Sequence, residues 1–427
     1  MLNNTDFWRA RFGEGSLKEQ LSVLYQEKFE QGYSRYITAL NEFDKHFGKS
    51  DRKAGLFSAP GRTELAGNHT DHQHGRVLAA AVTIDIIAVA SPREDFTVTI
   101  YSKGFGLSTL EISDTSFKPD ETGTSHALIR GMADAISKRG QRVKGFDAYI
   151  TSDIPHGAGL SSSAAFEVLI AEIFNQMYCG GTIDPVDMAR YGQYAENSYF
   201  GKPCGLMDQT ASAVGGIVAI DFQQMASPAV QKLDFAFADA GYCLCVTNAG
   251  GSHADLTDEY ASITQEMRLA AAAFGKEVLR DVGFSDFMSA VPELRKSLPD
   301  RAILRAMHYF LEDQRVCDQT EAIKAQDIER YQALMQDSGR SSMTMLQNIW
   351  PAGDSRERSV ALALALSETL LSGCGAWRVH GGGFAGTIQA LVPKDRVPVY
   401  KARMDDVFGY DACQVLSVRP VGAYTFK

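Results

Sequence analysis

The chain has 427 residues, of which 45% are hydrophobic and 22% are charged, and this composition excludes a largely disordered protein. Its 42 basic and 52 acidic residues give a formal charge of −10, which argues against a nucleic-acid partner because such partners need clustered positive charge. An anionic ligand would therefore have to be held by local devices such as backbone amides, a few Arg or Lys side chains, or a metal ion.

Apolar periodicity predicts helical and β segments in alternation along the chain. In order, we expect helices over 15–48, strands and turns over 55–100, a helix over 124–139, a strand over 146–151, and helices over 162–178 and 184–200. A strand over 216–221 precedes a helix-rich stretch over about 258–372, and the last sixth returns to β and turn character. The pattern predicts a mixed α/β protein: an N-terminal helical extension (1–50) packed on a first domain (51–214), followed by a second domain (215–427).

Cysteine usage and hydropathy indicate the compartment. The seven cysteines are scattered and form no CxxC pair, so neither a disulfide framework nor a zinc ribbon is predicted. No uninterrupted apolar run is long enough to span a membrane, and the N-terminal residues contain no apolar signal core. We therefore expect a cytoplasmic protein without a membrane partner.

The segment 155–165, PHGAGLSSSAA, is the most informative stretch of the chain. It follows a predicted strand and opens a long apolar helix. Gly157 and Gly159 permit a tight turn and close approach of the backbone to a ligand. The three serines then stand where free amides and the helix dipole favour an anion, so the pattern predicts a phosphate loop. It is neither the Walker nor the GxGxxG type, and an ordinary serine cap after a glycine turn is the alternative interpretation.

This loop resembles the phosphate-binding motif of the GHMP kinases. Three further segments resemble motifs of the galactokinase branch of that family. The segment APGRTELAGNHTDH (59–72) is similar to APGRVNLIGEHTDY, AENSYFGKPCGLMDQ (195–209) is similar to AEHxFVGxPCGIMDQ, and HGGGFAGT (380–387) is similar to a glycine-rich third motif. The four motifs stand in the family's order and cover about 57–390. The resemblance implies two mixed α/β domains with the active site in the cleft between them.

The resemblance also implies a function and a set of site residues. The function is ATP- and Mg²⁺-dependent phosphorylation of the anomeric hydroxyl of a sugar, with D-galactose as the default substrate. Asp208 would act as the general base or orient the hydroxyl, and Arg62 would keep that carboxylate ionised and stabilise the transferred charge. The expected sugar contacts are Asn68, His69, Asp71, Gly205 and Tyr260; those to ATP are Gly157, Gly159, Leu160, Ser161, Ser162 and Ser163. The expected Mg²⁺ ligands are Glu196 and Ser163, with Ser162 as the alternative serine.

Several positions depart from the family pattern. Asn68 stands where the family has Glu, His72 stands where it has Tyr, and Glu64 places a carboxylate in a usually apolar strand. An amide carries no negative charge, so Asn68 would tolerate a group on C6 that a carboxylate repels. Galacturonate, N-acetylgalactosamine and arabinose are therefore alternatives to galactose. The family's tryptophan near adenine has no counterpart in segment 124–131.

Two hypotheses come from other classes of protein. A non-catalytic sensor of sugar and ATP would be expected to have lost part of the serine loop, Arg62 or Asp208, and all are present. A zinc-dependent hydrolase would use the histidine-rich run at 69–74, but one short loop rarely supplies every ligand of a tetrahedral site. The sugar kinase is therefore the leading hypothesis.

Overall fold

The computed structural model describes residues 2–49, 52–155, 157, 159–202, 204–250, 256–353, 356, 358–384 and 386–427. The helices are α1 (Thr5–Gly13), α2 (Lys18–Tyr25), α3 (Phe29–Phe47), α4 (Ser125–Ser137), α5 (Ser162–Tyr178), α6 (Pro185–Ala195), α7 (Met207–Val214), α8 (Thr257–Ala272), α9 (Phe284–Ser297), α10 (Asp300–Lys324), α11 (Ile328–Ser341), α12 (Ser359–Leu371) and α13 (Val397–Phe408). The strands are β1 (Gly55–Ala66), β2 (Arg76–Pro92), β3 (Thr97–Ser102), β4 (Gly106–Glu111), β5 (Phe146–Ser152), β6 (Ile217–Asp221), β7 (Ala229–Leu233), β8 (Tyr242–Asn248), β9 (Ala376–Val379), β10 (Thr387–Pro393), β11 (Cys413–Leu416) and β12 (Tyr424–Thr425).

The larger sheet has the order β12-β1-β2-β5-β3-β4, with β6 paired to β2 and β7 paired to β6. The long strand β2 pairs with β5 through its C-terminal half and with β6 through its N-terminal half. Strand β1 pairs with β2 along its length, and its register shifts between Pro60 and Arg62 and again between Glu64 and Ala66. Such irregularities bend a strand and re-aim its side chains, and here they fall at the segment that carries Arg62 and Glu64.

Both faces of the larger sheet are covered by helices. Phe57, Ile86 and Ala88 belong to the core shared with α4–α7, whereas Ile87 and Val89 belong to a second core built from α1–α3. Because successive side chains of a strand point to opposite faces, this alternation requires cover on both sides. The N-terminal helices α1–α3 supply the second cover.

The smaller sheet is antiparallel, in the order β11-β8-β10-β9. One face packs against α12 and α13, and α11 packs against β9 from the other face, where the core is continuous with that of the larger sheet. Helices α8, α9 and α10 form a further layer with its own apolar cluster. No helix in the described part of the chain is long and apolar enough to cross a membrane.

The sheet pairing divides the chain differently from the predicted domain ranges. The prediction starts the second domain at residue 215, whereas the first sheet continues through β6 and β7 to Leu233 and takes in β12 from the C-terminus. The reason is that β2 extends beyond its partner β5, and β6 fills the free edge next to Arg76–Ala80.

Candidate active site

A cleft of about 770 Å³ lies between the first sheet with its helices and the layer formed by α8 and the β9–β10 loop. The following predicted residues line it: Arg62, Asn68, His69, Asp71, Ser163, Glu196, Gly205, Asp208 and Tyr260. They come from β1 and the loop after it, from α5, α7 and α8, and from the segment between α6 and α7. The structure therefore brings the predicted catalytic, sugar and metal residues to one place.

Arg62 and Asp208 form a two-pronged ion pair at this cleft. Nε and one terminal nitrogen of Arg62 donate to the two carboxylate oxygens of Asp208 at 2.6 and 2.5 Å. The Ser161 hydroxyl donates to the same carboxylate at 2.7 Å. Burial acts to raise the pKa of Asp208, but Arg62 and Ser161 outweigh it and lower that pKa below its ordinary value. The carboxylate is therefore ionised at neutral pH and ready to accept a hydrogen bond or a proton.

The backbone around Arg62 is held against the phosphate loop. The Arg62 amide donates to the Leu160 carbonyl at 3.0 Å, and its guanidinium donates to the Gly159 carbonyl at 2.5 Å. A Cβ at Gly61 would lie 2.9 Å from the Leu160 oxygen, so glycine is needed for this close approach. Asp208 lies in the first turn of α7, where the helix dipole favours a negative charge.

The predicted phosphate loop forms the turn before α5. Gly157 and Gly159 have φ values of +72° and +68°, and Ser161 is left-handed with φ +54°. Ser162 is the first residue of α5, so free amides at the start of this 17-residue helix face the loop. Two positions of the loop, His156 and Ala158, lie outside the described residues.

A second cavity of about 830 Å³ opens beside the same loop. Ser162 and Ser163 border it together with apolar side chains, among them Phe166 and Phe200. Segment 124–131, which has no tryptophan, contributes His126 to this wall. The sequence did not predict this cavity, because its lining comes from β3, β4, α4 and α5, which are far apart in the chain.

Glu196 and Ser163, the predicted metal ligands, both line the first cleft. One Glu196 oxygen pairs with Lys202 Nζ at 3.1 Å, and the other accepts from Gln209 Nε2 at 3.1 Å. The Gln209 Oε1 is buried and accepts no hydrogen bond from the described residues. A carboxylate, a hydroxyl and an orphaned amide oxygen are the hard oxygen donors that suit Mg²⁺. No cluster of three or more His, Cys, Asp or Glu residues suited to a metal occurs in the described chain.

The expected sugar contacts are packed around the β9–β10 loop. His69 Nε2 donates to the Gly382 carbonyl at 3.0 Å, and burial together with the neighbouring His72 lowers the pKa of His69 to about 4. The Tyr260 hydroxyl donates to the Gly383 carbonyl at 3.0 Å. These contacts join the loop after β1 and helix α8 to the same glycine-rich turn, which contains Ala385 outside the described residues.

Gly205 and Asp71 touch across the cleft wall. A Cβ at Gly205 would lie 2.3 Å from Asp71 Oδ2, so only glycine leaves room for that carboxylate. The Gly205 segment belongs to the motif at 195–209, in which Pro203 lies outside the described residues. The two motifs are thus in direct contact.

Sequence reasoning missed three buried second-domain side chains that contact residues at or next to the cleft. Arg378 forms a buried ion pair with Glu64, and Asn348 Nδ2 donates to Asn68 Oδ1 at 2.8 Å. His380 Nε2 accepts a hydrogen bond from the backbone N–H of Glu64, and His380 Nδ1 donates one to Thr387 Oγ1. The HGGG run did mark the location of His380, but Arg378 and Asn348 carried no local signal.

The sequence of this chain is similar to those of known sugar kinases. Residues 41–92 match the galactokinase galactose-binding signature, and residues 127–216 match the GHMP kinases N-terminal domain. The chain is 31% identical over 366 residues to the galactokinase of Glaesserella parasuis serovar 5 (strain SH0165), covering 83% of this chain and 89% of that protein. It is 30% identical over 357 residues to the galactokinase of Streptomyces coelicolor, covering 83% of this chain and 88% of that protein.

Solved structures give the same fold. The Lactococcus lactis galactokinase complexed with galactose superposes with a TM-score of 0.77 at 24% identity, over 90% of this chain and 98% of that one. The Methanococcus jannaschii mevalonate kinase gives a TM-score of 0.60 at 14% identity, over 85% and 98%. The predicted mixed α/β fold is confirmed as that of a GHMP kinase, a phosphotransferase that uses ATP. Within this class, the chain belongs to the galactokinase family.

Proposed function

We propose that this protein transfers the γ-phosphoryl group of ATP to the anomeric hydroxyl of D-galactose and releases galactose 1-phosphate and ADP. The observation that carries the proposal is the Arg62–Asp208 pair, which lies in the cleft beside Ser161 of the phosphate loop. The galactose-binding signature and the curated galactokinases favour galactose among the sugars considered. The lowered pKa of Asp208 fits the role of a group that is ionised when the sugar arrives.

The chemistry assigned to these residues is an in-line transfer. Asp208 orients the anomeric hydroxyl and accepts its proton as the sugar oxygen bonds to the γ-phosphorus and the bond to the β–γ bridging oxygen breaks. Arg62 holds the carboxylate and stabilises charge that develops on the phosphoryl oxygens. The loop around Gly157, Gly159 and Leu160 and the amides that open α5 would cradle the phosphates.

The remaining contacts complete the proposed complex. Glu196 and Ser163 would hold Mg²⁺, which neutralises charge on the nucleotide phosphates when it is bound. The cavity of about 830 Å³ beside the loop would take the base of ATP. Asp71 would accept hydroxyl hydrogen bonds from the sugar. We place the reaction in the cytoplasm, where ATP is supplied and where seven free cysteines remain reduced.

The test is a coupled ADP-release assay with ATP and Mg²⁺ over galactose, galacturonate, N-acetylgalactosamine, arabinose and glucose. We expect galactose to be turned over far faster than the others. Asp208→Asn should lower kcat by about 10²- to 10⁴-fold because it removes the proton acceptor while keeping the size of the side chain. Asp95→Asn, at an exposed ion pair, is the matched control and should leave kcat unchanged.

Each other result has a defined meaning. Faster turnover of another sugar would overturn the assignment of galactose. Full activity of the Asp208→Asn variant would remove Asp208 from the reaction. If no sugar is turned over while ATP still binds, the protein is a sensor rather than an enzyme.

A further inference from the structure

The cleft contains an exchanged pair of side chains, Glu64 at the end of β1 and Asn68 in the loop after it. The signature that this segment resembles has an amide at the position of Glu64 and a carboxylate at the position of Asn68, and this chain has them in the opposite order. The two side chains are in contact, because Asn68 Nδ2 donates to Glu64 Oε1 at 3.2 Å. The carboxyl group missing from position 68 is therefore present one hydrogen bond away, at position 64.

The Glu64 carboxylate is anchored through one of its two oxygens. Oε1 pairs with Arg378 and also accepts the hydrogen bond from Asn68. Arg378 is itself fixed, since it is fully buried and donates to the carbonyls of Leu65 and Val379 at 2.8 and 2.9 Å. In the described part of the chain Glu64 Oε2 accepts no hydrogen bond, and Glu64 lines the cleft of about 770 Å³. Oε2 is thus an acceptor available to a ligand.

Asn68, in contrast, has its donors occupied within the protein. Asn68 is fully buried, and its Nδ2 donates hydrogen bonds to Glu64 Oε1 and, at 2.5 Å, to the Gly381 carbonyl. Its Oδ1 accepts from Asn348 Nδ2 at 2.8 Å. The amide therefore ties the loop after β1 to the glycine-rich turn of the second domain and holds Glu64 in place.

We propose that Glu64, through Oε2, is the specificity residue that accepts a hydrogen bond from one hydroxyl of the sugar, and that Asn68 and Arg378 are its positioning residues. This inference rests on the proposed sugar kinase function. It changes the expectation drawn from Asn68 alone: the pocket retains a carboxylate, so it favours a neutral sugar and disfavours a uronic acid.

The first test compares the wild type with Glu64→Gln on galactose and its 2-, 3-, 4- and 6-deoxy analogues. Replacing a charged acceptor should raise KM for galactose about 10- to 100-fold and change kcat less, because the contact is made to the bound sugar. For one analogue, which lacks the contacted hydroxyl, wild type and variant should have equal kcat/KM. A loss that is the same for galactose and all four analogues would overturn the proposal.

The second test uses galacturonate. In the Glu64→Gln variant Arg378 loses its carboxylate partner, so kcat/KM for galacturonate relative to galactose should rise at least about tenfold. The exchange variant, Glu64→Asn with Asn68→Glu, returns both groups to the order of the signature and should recover galactose binding that each single change loses. Failure of the double variant to exceed both single variants would contradict the shared role of the pair.

Folding and function are separated by two controls. The Glu64→Asp variant retains the charge and the pairing with Arg378, so it can be used if the Glu64→Gln variant does not fold. Its kcat/KM should likewise fall for galactose but not for the analogue that lacks the contacted hydroxyl. Sugar binding is also measured by titration calorimetry, without ATP. If the wild type does not turn over galactose, the proposed function is wrong, and the Glu64 variants are then tested on the sugar that is turned over. If the wild type turns over galactose but no deoxy analogue gives equal kcat/KM for wild type and variant, only the proposed role of Glu64 is contradicted.

Discussion

The position of the Asp71 carboxylate depends on the absence of a side chain at the neighbouring Gly205. A Cβ at position 205 would lie 2.3 Å from Asp71 Oδ2, a separation that no real contact reaches. In the Gly205→Ala variant the carboxylate must therefore leave its position on the cleft wall. We expect KM for galactose to rise about tenfold or more, measured by steady-state kinetics, since about 1.4 kcal/mol of lost binding is enough for a tenfold change.

The matched control for this substitution is Gly13→Ala. A Cβ at Gly13 meets no atom within 4 Å, and the residue lies in α1, far from the cleft. This variant should retain the wild-type KM. An unchanged KM in Gly205→Ala would show that Asp71 does not need its present position to bind the sugar.

How far single residues could be predicted depended on the motif around them. Arg62, Asp71 and Asp208 lie in motifs with many matching positions, and all three line one cleft of the structure. Glu64 and Asn68 could be recognised only as departures from the pattern. Their contact with each other and with Arg378 depends on a partner 314 positions away, which no local pattern reveals.

The N-terminal helices are joined to the first sheet by a buried carboxylate. Asp85 of β2 is fully buried and accepts hydrogen bonds from Tyr25 at 2.8 Å, Arg35 at 2.5 Å, Ser58 at 2.5 Å and Arg419 at 3.1 Å. Burial acts to raise the pKa of Asp85, but the two arginines outweigh it and lower that pKa. One side chain thus connects α2, α3, β1, β2 and the C-terminal segment.

Replacing Asp85 with Asn should therefore be strongly destabilising. Arg419 is fully buried and would keep its charge without a carboxylate partner, so we expect a loss of about 3–5 kcal/mol in the free energy of unfolding. Urea denaturation measures this loss, with Asp95→Asn at an exposed ion pair as the control that should change little. Equal midpoints for the two variants would contradict a structural role for Asp85.

Periodicity predicted the N-terminal helices but not the surface that they cover. Spacings of three and four identify helices within 15–48, and the structure has α2 and α3 there. These helices pack on the face of the sheet that carries Ile87 and Val89. The spacing of residues does not show which helices cover that face. Helix α1 lies before the stretch 15–48 in which the spacing indicates helices, and the side chain of Asn4 caps it by accepting from the Phe7 amide.

The two domains also meet around neutral buried histidines, which make the whole molecule sensitive to acid. Burial lowers the pKa of His308 and of His380, and burial with His72 lowers that of His69 to about 4. The unfolded chain takes up protons on these rings near pH 6.5, whereas the folded chain does not. The stability they contribute is therefore complete above about pH 6.5 and is lost as the pH falls from there through the lowered pKa values of the folded chain.

We expect the free energy of unfolding to fall by up to about 1.4 kcal/mol per pH unit for each such histidine below pH 6.5. Urea denaturation at pH 7.5, 6.5, 5.5 and 5.0 measures the slope. His380→Gln removes one titrating ring from the junction between β1 and β10, so its slope should be smaller than that of the wild type. An identical slope would mean that His380 becomes protonated without unfolding.

The amino-acid order alone indicated the phosphate loop and most of the helices and strands, because these depend on spacing within a few residues. The pairing of Arg62 with Asp208, which are 146 positions apart, followed from the resemblance of their motifs. Only the tertiary structure decided the cavity beside the loop, the extension of the first sheet to Leu233, and the contacts of Glu64 with Asn68 and Arg378. These features depend on residues that meet across hundreds of positions, such as Glu64 and Arg378. Packing and electrostatics in the folded chain select such partners, and the spacing of residues along the chain does not encode them.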